Sequence, residues 1–158
     1  MFSKIKPYVI SIAIALGVGG LSALITGGNM DIYSQLETPP LSPPSWLFPV
    51  VWTVLYVLMG VSAAMVYTSR MAGDGEKRSA LTVYASSLIF NFTWSIIFFN
   101  LRAFFVAFIW LLVLLALIVK TIADYRWISR LAAYLQIPYA VWVAFAGYLN
   151  IGIWLLNR

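Results

Sequence analysis

Residues 131–157, LAAYLQIPYAVWVAFAGYLNIGIWLLN, run without a single charged side chain. About 20 apolar residues in a helix cross the roughly 30 Å hydrocarbon layer of a bilayer, so this stretch is long enough to span one. It is continuously apolar and lacks the in-out alternation of a barrel strand, which makes it a helix. Working outward, the charges leave four more such stretches, residues 7–30, 38–69, 79–101 and 103–119. The resulting spans are 8–25, 46–69, 80–100, 103–123 and 131–156, with a first loop over 26–45. The predicted fold class is an all-α membrane protein, a compact bundle of five transmembrane helices forming a single domain over residues 1–158.

Composition agrees. Of 158 residues, 63% are apolar and 9% charged, against about half and a quarter in soluble domains. A soluble fold of this size could not cover so much apolar surface. Lys4 and Lys6 before the first run, with Leu21-Ser22-Ala23 beyond it, imitate a secretory signal. We read the run instead as a retained helix, since its removal would leave four. Cys and His are both absent. That removes disulfides, thiolate chemistry, the usual general base and the usual metal ligand; no metal site is expected, and catalysis of any kind would fall to a bound ligand and tryptophan.

Basic residues set the expected orientation. Lys4, Lys6, Arg70, Lys77, Arg78, Lys120, Arg126 and Arg130 flank one set of helix ends, and Arg102 and Arg158 the other. The N-terminus is therefore expected in the cytoplasm, with the first loop and C-terminus outside. The net charge of +5 serves topology, and no nucleic-acid partner is expected. The first loop holds Pro39, Pro40, Pro43 and Pro44, which fix φ and remove donors, so a stiff, extended lid is expected. Small residues recur every fourth position at Ser11, Ala15, Gly19, Ala23 and Gly27, and again at Gly60 and Ala64. Such stripes let helices approach closely, either within the chain or between subunits. Pro138 leaves the Tyr134 carbonyl without its helical donor, so a kink or a polar partner is expected there.

No span carries a central ionisable group, which disfavours proton- or ion-coupled transport; internal repeats and broken helices, the marks of alternating access, are missing too. The spans carry amides and aromatics instead. Helical spacing puts Asn91, Trp94, Ser95 and Phe98 on one face. Trp52, Leu55, Tyr56 and Met59 form a second face. A third comprises Trp142, Phe145, Ala146 and Leu149, with Asn150 close by. Trp46 and Trp154, near helix ends, suit an interfacial belt. Trp94 and Trp142 lie deeper, where an indole N–H needs a partner. Together these faces could enclose a flat, mostly apolar ligand.

Several runs resemble one known family. They are Pro43-Pro44-Ser45-Trp46 followed by Val51-Trp52-Thr53-Val54-Leu55-Tyr56-Val57-Leu58-Met59-Gly60; Tyr33-x-x-Leu36-x-x-Pro39; Asn91-x-x-Trp94-x-x-x-Phe98-Phe99; and Pro138-Tyr139-x-x-Trp142-x-Ala144-Phe145-Ala146-x-x-Leu149-Asn150. Almost the whole chain is similar to the translocator proteins, also called tryptophan-rich sensory proteins or peripheral-type benzodiazepine receptors, in their bacterial form. The resemblance implies a five-helix bundle in the bacterial cell membrane, usually a homodimer, whose pocket the first loop closes. It implies protoporphyrin IX or a related tetrapyrrole as ligand, with isoquinoline carboxamide and benzodiazepine-type drugs as further binders, and no cofactor. The pocket residues it carries over are Ala23, Tyr33, Trp52, Asn91, Trp94, Phe98, Trp142, Ala146 and Asn150, to which the faces above add Tyr56 and Leu149. Some bacterial members are described as degrading protoporphyrin in light and oxygen; Trp52 and Trp94 would be the residues concerned. Transport of porphyrins or sterol-like molecules is the other alternative.

The chain departs from the pattern at three places. Leu41 stands where the family often has an aromatic, and Trp110 where it usually has an acid. Ile151 and Leu155 occupy the places of the Tyr and the basic residue in the animal cholesterol motif. The stretch from Val119 to Arg130 around Tyr125 fits only the loosest form of that motif, so cholesterol is not expected as a partner.

Overall fold

A computed structural model describes residues 2–29 and 31–158. It contains five long helices, each with the length and apolarity to cross a membrane. They are α1 (Phe2–Thr26), α3 (Leu47–Thr68), α4 (Asp74–Ser95), α5 (Phe104–Arg126) and α6 (Arg130–Asn157). A one-turn helix, α2 (Ile32–Gln35), follows a 3-10 turn at Gly27–Asn29 inside the first loop, and α4 is prolonged by a π-helical turn at Ile96–Asn100.

The helices outrun the predicted spans at their charged ends. The run 8–25 becomes Phe2–Thr26, and the run 80–100 begins instead at Asp74. Apolarity marks only the hydrocarbon-crossing part, whereas helical hydrogen bonding continues into the polar layer, where Lys and Arg stems can reach water. Local chemistry supports these extensions. Asp74 and Glu76 lie in the first turn of α4, and Arg126 in the last turn of α5, each complementing the partial charge at its helix end. Ser129 caps α6, its Oγ accepting from the Ala132 N–H at 3.3 Å.

Around the bundle the helices run α1, α3, α6, α5, α4, and α4 returns to α1. The small-residue stripe of α1 serves contact within the chain. Ala15 is fully buried, the Gly19 backbone lies against the Tyr56 ring, and a Cβ on Gly60 would sit 2.5 Å from the Ile12 Cα. Farther along, the same stripe leaves α3: Ala23 lines a cavity described below. Met59, Val66, Leu111, Leu114, Ile118, Tyr139 and Val143 fill the core, while Ile14, Leu24, Val106 and Ile109 point outward, as expected of a lipid-facing surface. Inside, Ser62 Oγ donates to the Ala132 carbonyl at 2.7 Å and accepts from Gln136 Nε2 at 3.2 Å, joining α3 to α6. α6 remains one helix through Pro138.

Candidate ligand-binding site

At the loop end, α1, α3, α4 and α6 diverge around a cavity of about 530 Å³, within the ~300–1,000 Å³ usual for small-molecule sites. Ala23, Tyr33, Trp52, Tyr56, Asn91, Trp94, Phe98, Trp142, Ala146, Leu149 and Asn150 all line it. Residues predicted from four helices and the first loop therefore share one space.

Two aromatic walls face it. On the α4 side, Trp94 stacks on Phe98 with ring centres 5.2 Å apart, and Phe98 meets Phe99 edge-on at 4.9 Å. The opposite wall comes from α3 and α6. There Trp52 lies 5.7 Å from Tyr56 and 6.3 Å from Tyr139, and Phe48 bridges Trp142 and Tyr33 at 5.9 and 5.1 Å. Edge-to-face and offset pairs at these separations stabilise one another beyond their burial, which holds the walls rigid.

The amides brace the walls. Trp94 Nε1 donates to Asn150 Oδ1 at 3.0 Å, and Asn150 Nδ2 donates to the Phe104 carbonyl at 2.7 Å. Asn91 Nδ2 donates to the Tyr139 hydroxyl at 3.2 Å. The partner that the deep indole of Trp94 requires is thus Asn150, linking α4, α6 and the start of α5. Trp142 is half-buried on the lining.

The first loop covers the open end. Tyr33, Ser34 and Ser45 reach the cavity, and Tyr33 donates its hydroxyl to the Pro43 carbonyl at 3.0 Å. Burial raises the pKa of that hydroxyl above its ordinary value, with Ser42 partly opposing, so Tyr33 stays protonated at neutral pH. Asn157 clamps the loop from both sides: Oδ1 accepts from the Glu37 N–H at 3.0 Å, and Nδ2 donates to the Glu37 carbonyl at 2.7 Å. Tyr148 donates to the Pro40 carbonyl at 2.6 Å. Pro39 is buried against Gly152, where an added Cβ would come within 2.6 Å of the ring.

Residues 10–155 match the TspO/MBR family, a stretch that takes in the loop and most of each of the five long helices. The chain belongs to the TspO/MBR family. It is 33% identical to the tryptophan-rich protein TspO of Chlorobaculum tepidum, covering 99% of both chains. To the translocator protein of Ovis aries it is 33% identical over 85% of this chain and 79% of the relative. To the tryptophan-rich sensory protein of Cereibacter sphaeroides it is again 33% identical, over 79% and 76%. With its five apolar helices, the chain is an integral membrane protein.

Within this TspO/MBR chain the departures have structural answers. Trp110, at the place of the usual acid, stacks on Phe90 at 4.5 Å and donates Nε1 to the Phe90 carbonyl at 3.0 Å. It fastens α5 to α4 and does not line the cavity. Leu41 is 85% exposed with a φ of 71°, at the tip of the loop. The predicted faces need three corrections. Leu55 and Met59 belong to the packed core, because their side of α3 meets the bundle interior. Phe145 turns away from the cavity to lie between Trp142 and Tyr148. The lid is also less extended than its prolines suggest, since Gly27–Asn29 and Ile32–Gln35 are helical.

Several lining residues escaped the sequence reading. Thr26, Asp31, Phe48, Pro49, Phe99 and Ile153 all contribute. Ile153 lies one turn beyond Leu149 and Asn150 and could have been found by periodicity. Phe99 could not: the wider π-helical turn brings two consecutive phenylalanines onto one side, which 3.6-residue spacing excludes.

Proposed function

We propose that the protein is a membrane receptor for porphyrins and similar planar apolar ligands, protoporphyrin IX first among them, held in the aromatic cavity beneath the first loop. One observation carries this reading: two rigid aromatic walls, built from Trp52, Tyr56 and Trp142 on one side and Trp94 and Phe98 on the other, enclose a space of about 530 Å³ with few polar groups. Flat π systems gain most from such walls, through stacking and apolar burial together. The names of the relatives, tryptophan-rich sensory protein and translocator protein, are compatible with ligand sensing or movement. The charge distribution supports an N-terminus in the cytoplasm and the loop outside, and family resemblance supports a homodimer.

Titration of the purified protein with protoporphyrin IX, followed by quenching of tryptophan fluorescence, tests the proposal. Saturable quenching is expected, and Trp52→Ala with Trp142→Ala should weaken affinity about tenfold. Unchanged affinity in that double variant removes the pocket assignment.

A second reading is favoured by Trp52, which has Tyr56 and Tyr139 within 6.3 Å. Such oxidisable neighbours suit light-driven breakdown of the pigment, where the ligand itself is the photosensitiser. Illumination with and without oxygen decides it. Pigment loss equal to that of free porphyrin, or loss unaffected by Trp52→Phe with Trp94→Phe, excludes an enzymatic role.

A further inference from the structure

A second hollow lies on the outer surface of the bundle, where α5 begins and α6 ends. Arg102, Phe105, Val106, Trp154, Asn157 and Arg158 shape a groove of about 340 Å³ there. Its two arginines are the basic residues that the sequence places at the loop end of the bundle. Among the described residues no acid lines the groove. Neither guanidinium joins an ion pair, since the one pair among the described residues is Lys120–Asp124 at the opposite end. Arg158 lies over the Trp154 ring, 5.3 Å from its centre, and that ring meets Phe105 at 4.8 Å. Arg102 turns the chain into α5 with a φ of 52°, a conformation that suits Gly or Asn better, so the turn itself gives no reason for a long cationic side chain.

Beside the arginines the surface is apolar and faces outward: Phe105, Val106 and Ile109 are all exposed on α5. Two unpaired guanidiniums at the end of an exposed apolar strip, level with a tryptophan of the interfacial belt, match a ligand with an anionic head and a hydrocarbon tail. The planar fork of arginine fits phosphate oxygens, whereas a choline or ethanolamine head would bring a further cation against it. We propose that this groove binds an anionic phospholipid, with its phosphate between Arg102 and Arg158 and an acyl chain along α5. Asn157 gives the site a consequence, because it lines the groove and also holds Glu37 of the loop through both backbone groups. A headgroup that orders Arg158 orders the residue beside it, so anionic lipid fastens the loop over the cavity whatever ligand the cavity takes.

Hydrogen exchange of the intact protein tests this in nanodiscs of phosphatidylcholine alone and of phosphatidylcholine with an equal amount of phosphatidylglycerol. The quantity read is the slowing that phosphatidylglycerol causes at the Glu37 amide, which donates to Asn157. In the wild type it should be about fivefold, the effect of one arginine on attraction to an anionic lipid surface. Arg102→Gln, outside the loop contacts, and Arg158→Gln should each remove most of the slowing, and Arg102→Lys should retain it. Arg126→Gln with Arg130→Gln, which removes charge at the opposite end, should leave it intact. Glycerol 3-phosphate added to phosphatidylcholine discs offers the phosphate without a tail and should slow nothing. Slowing that persists in both glutamine variants, is lost equally in the distant pair, or is reproduced by glycerol 3-phosphate overturns the lipid site. A wild type that exchanges alike in both discs overturns it too, and none of these outcomes bears on porphyrin binding.

Discussion

Where α1 and α3 cross at Gly60 there is no room for even a methyl group. At Gly60 it would lie 2.5 Å from the Ile12 backbone, and a backbone cannot swing aside as a side-chain tip can. Gly60→Ala should therefore cost about 1–3 kcal/mol by overpacking. Gly17→Ala and Gly20→Ala, which meet nothing within 4 Å, should be neutral or stabilising by up to about 1 kcal/mol through helix propensity. Thermal unfolding of the three variants in one detergent compares them; equal midpoints would show that α1 and α3 do not pack through the glycine. Asn150 makes the complementary case, since it accepts from Trp94 and donates to Phe104. Asn150→Leu strands the indole N–H, an expected loss of about 1–3 kcal/mol for a buried donor left unpaired, read in the same unfolding assay. The identities of these residues were legible in the sequence, because small-residue spacing and a deep tryptophan both demand a close neighbour. Which neighbour was not legible, since that depends on how helices distant in sequence are rotated against each other.

At the scale of elements, the cavity depends on a loop that is fastened from outside. Glu37 is tied through both its N–H and its carbonyl to Asn157, Tyr148 holds Pro40, and Pro39 fits the surface opened by Gly152. The prolines announced a stiff segment but gave no sign of its anchors, which lie on α6 more than a hundred residues away. The short helix α2 and the π-helical turn were equally hidden, as both are irregularities of hydrogen bonding with no apolar period of their own. Asn157→Ala should remove two bonds worth about 1 kcal/mol each near the surface, so the segment 36–40 should open more often while the bundle stays intact. Hydrogen exchange would show this as at least tenfold faster exchange at Glu37, with core amides of α5 unchanged. Gly152→Val should produce the same pattern by displacing Pro39. Slow exchange retained in both variants would mean that the anchors do not hold the lid.

For the molecule as a whole, charge and packing divide the bundle into two unlike ends. The basic end is tied by polar contacts near its helix ends. Ser69 Oγ, beyond α3, donates to the Ile128 carbonyl between α5 and α6 at 3.4 Å, Lys77 Nζ reaches the Tyr67 carbonyl at 3.2 Å, and Lys120 pairs with Asp124 at 2.8 Å. Exposed Trp127 beneath the Arg126 guanidinium, 5.0 Å from the ring centre, suits the water–lipid boundary. The other end opens into the cavity under its loop. A ligand taken from outside and one taken from the cytoplasm would therefore meet different surfaces, and the orientation proposed from the basic residues decides which. Because the sequence contains no cysteine, single introduced thiols report that orientation without background. Gln35→Cys, exposed in the loop, should react with a membrane-impermeant maleimide on intact cells. Gly75→Cys, exposed at the start of α4 on the basic end, should react only after permeabilisation. The reverse pattern would place the cavity mouth toward the cytoplasm, so that its ligand would have to arrive from inside the cell.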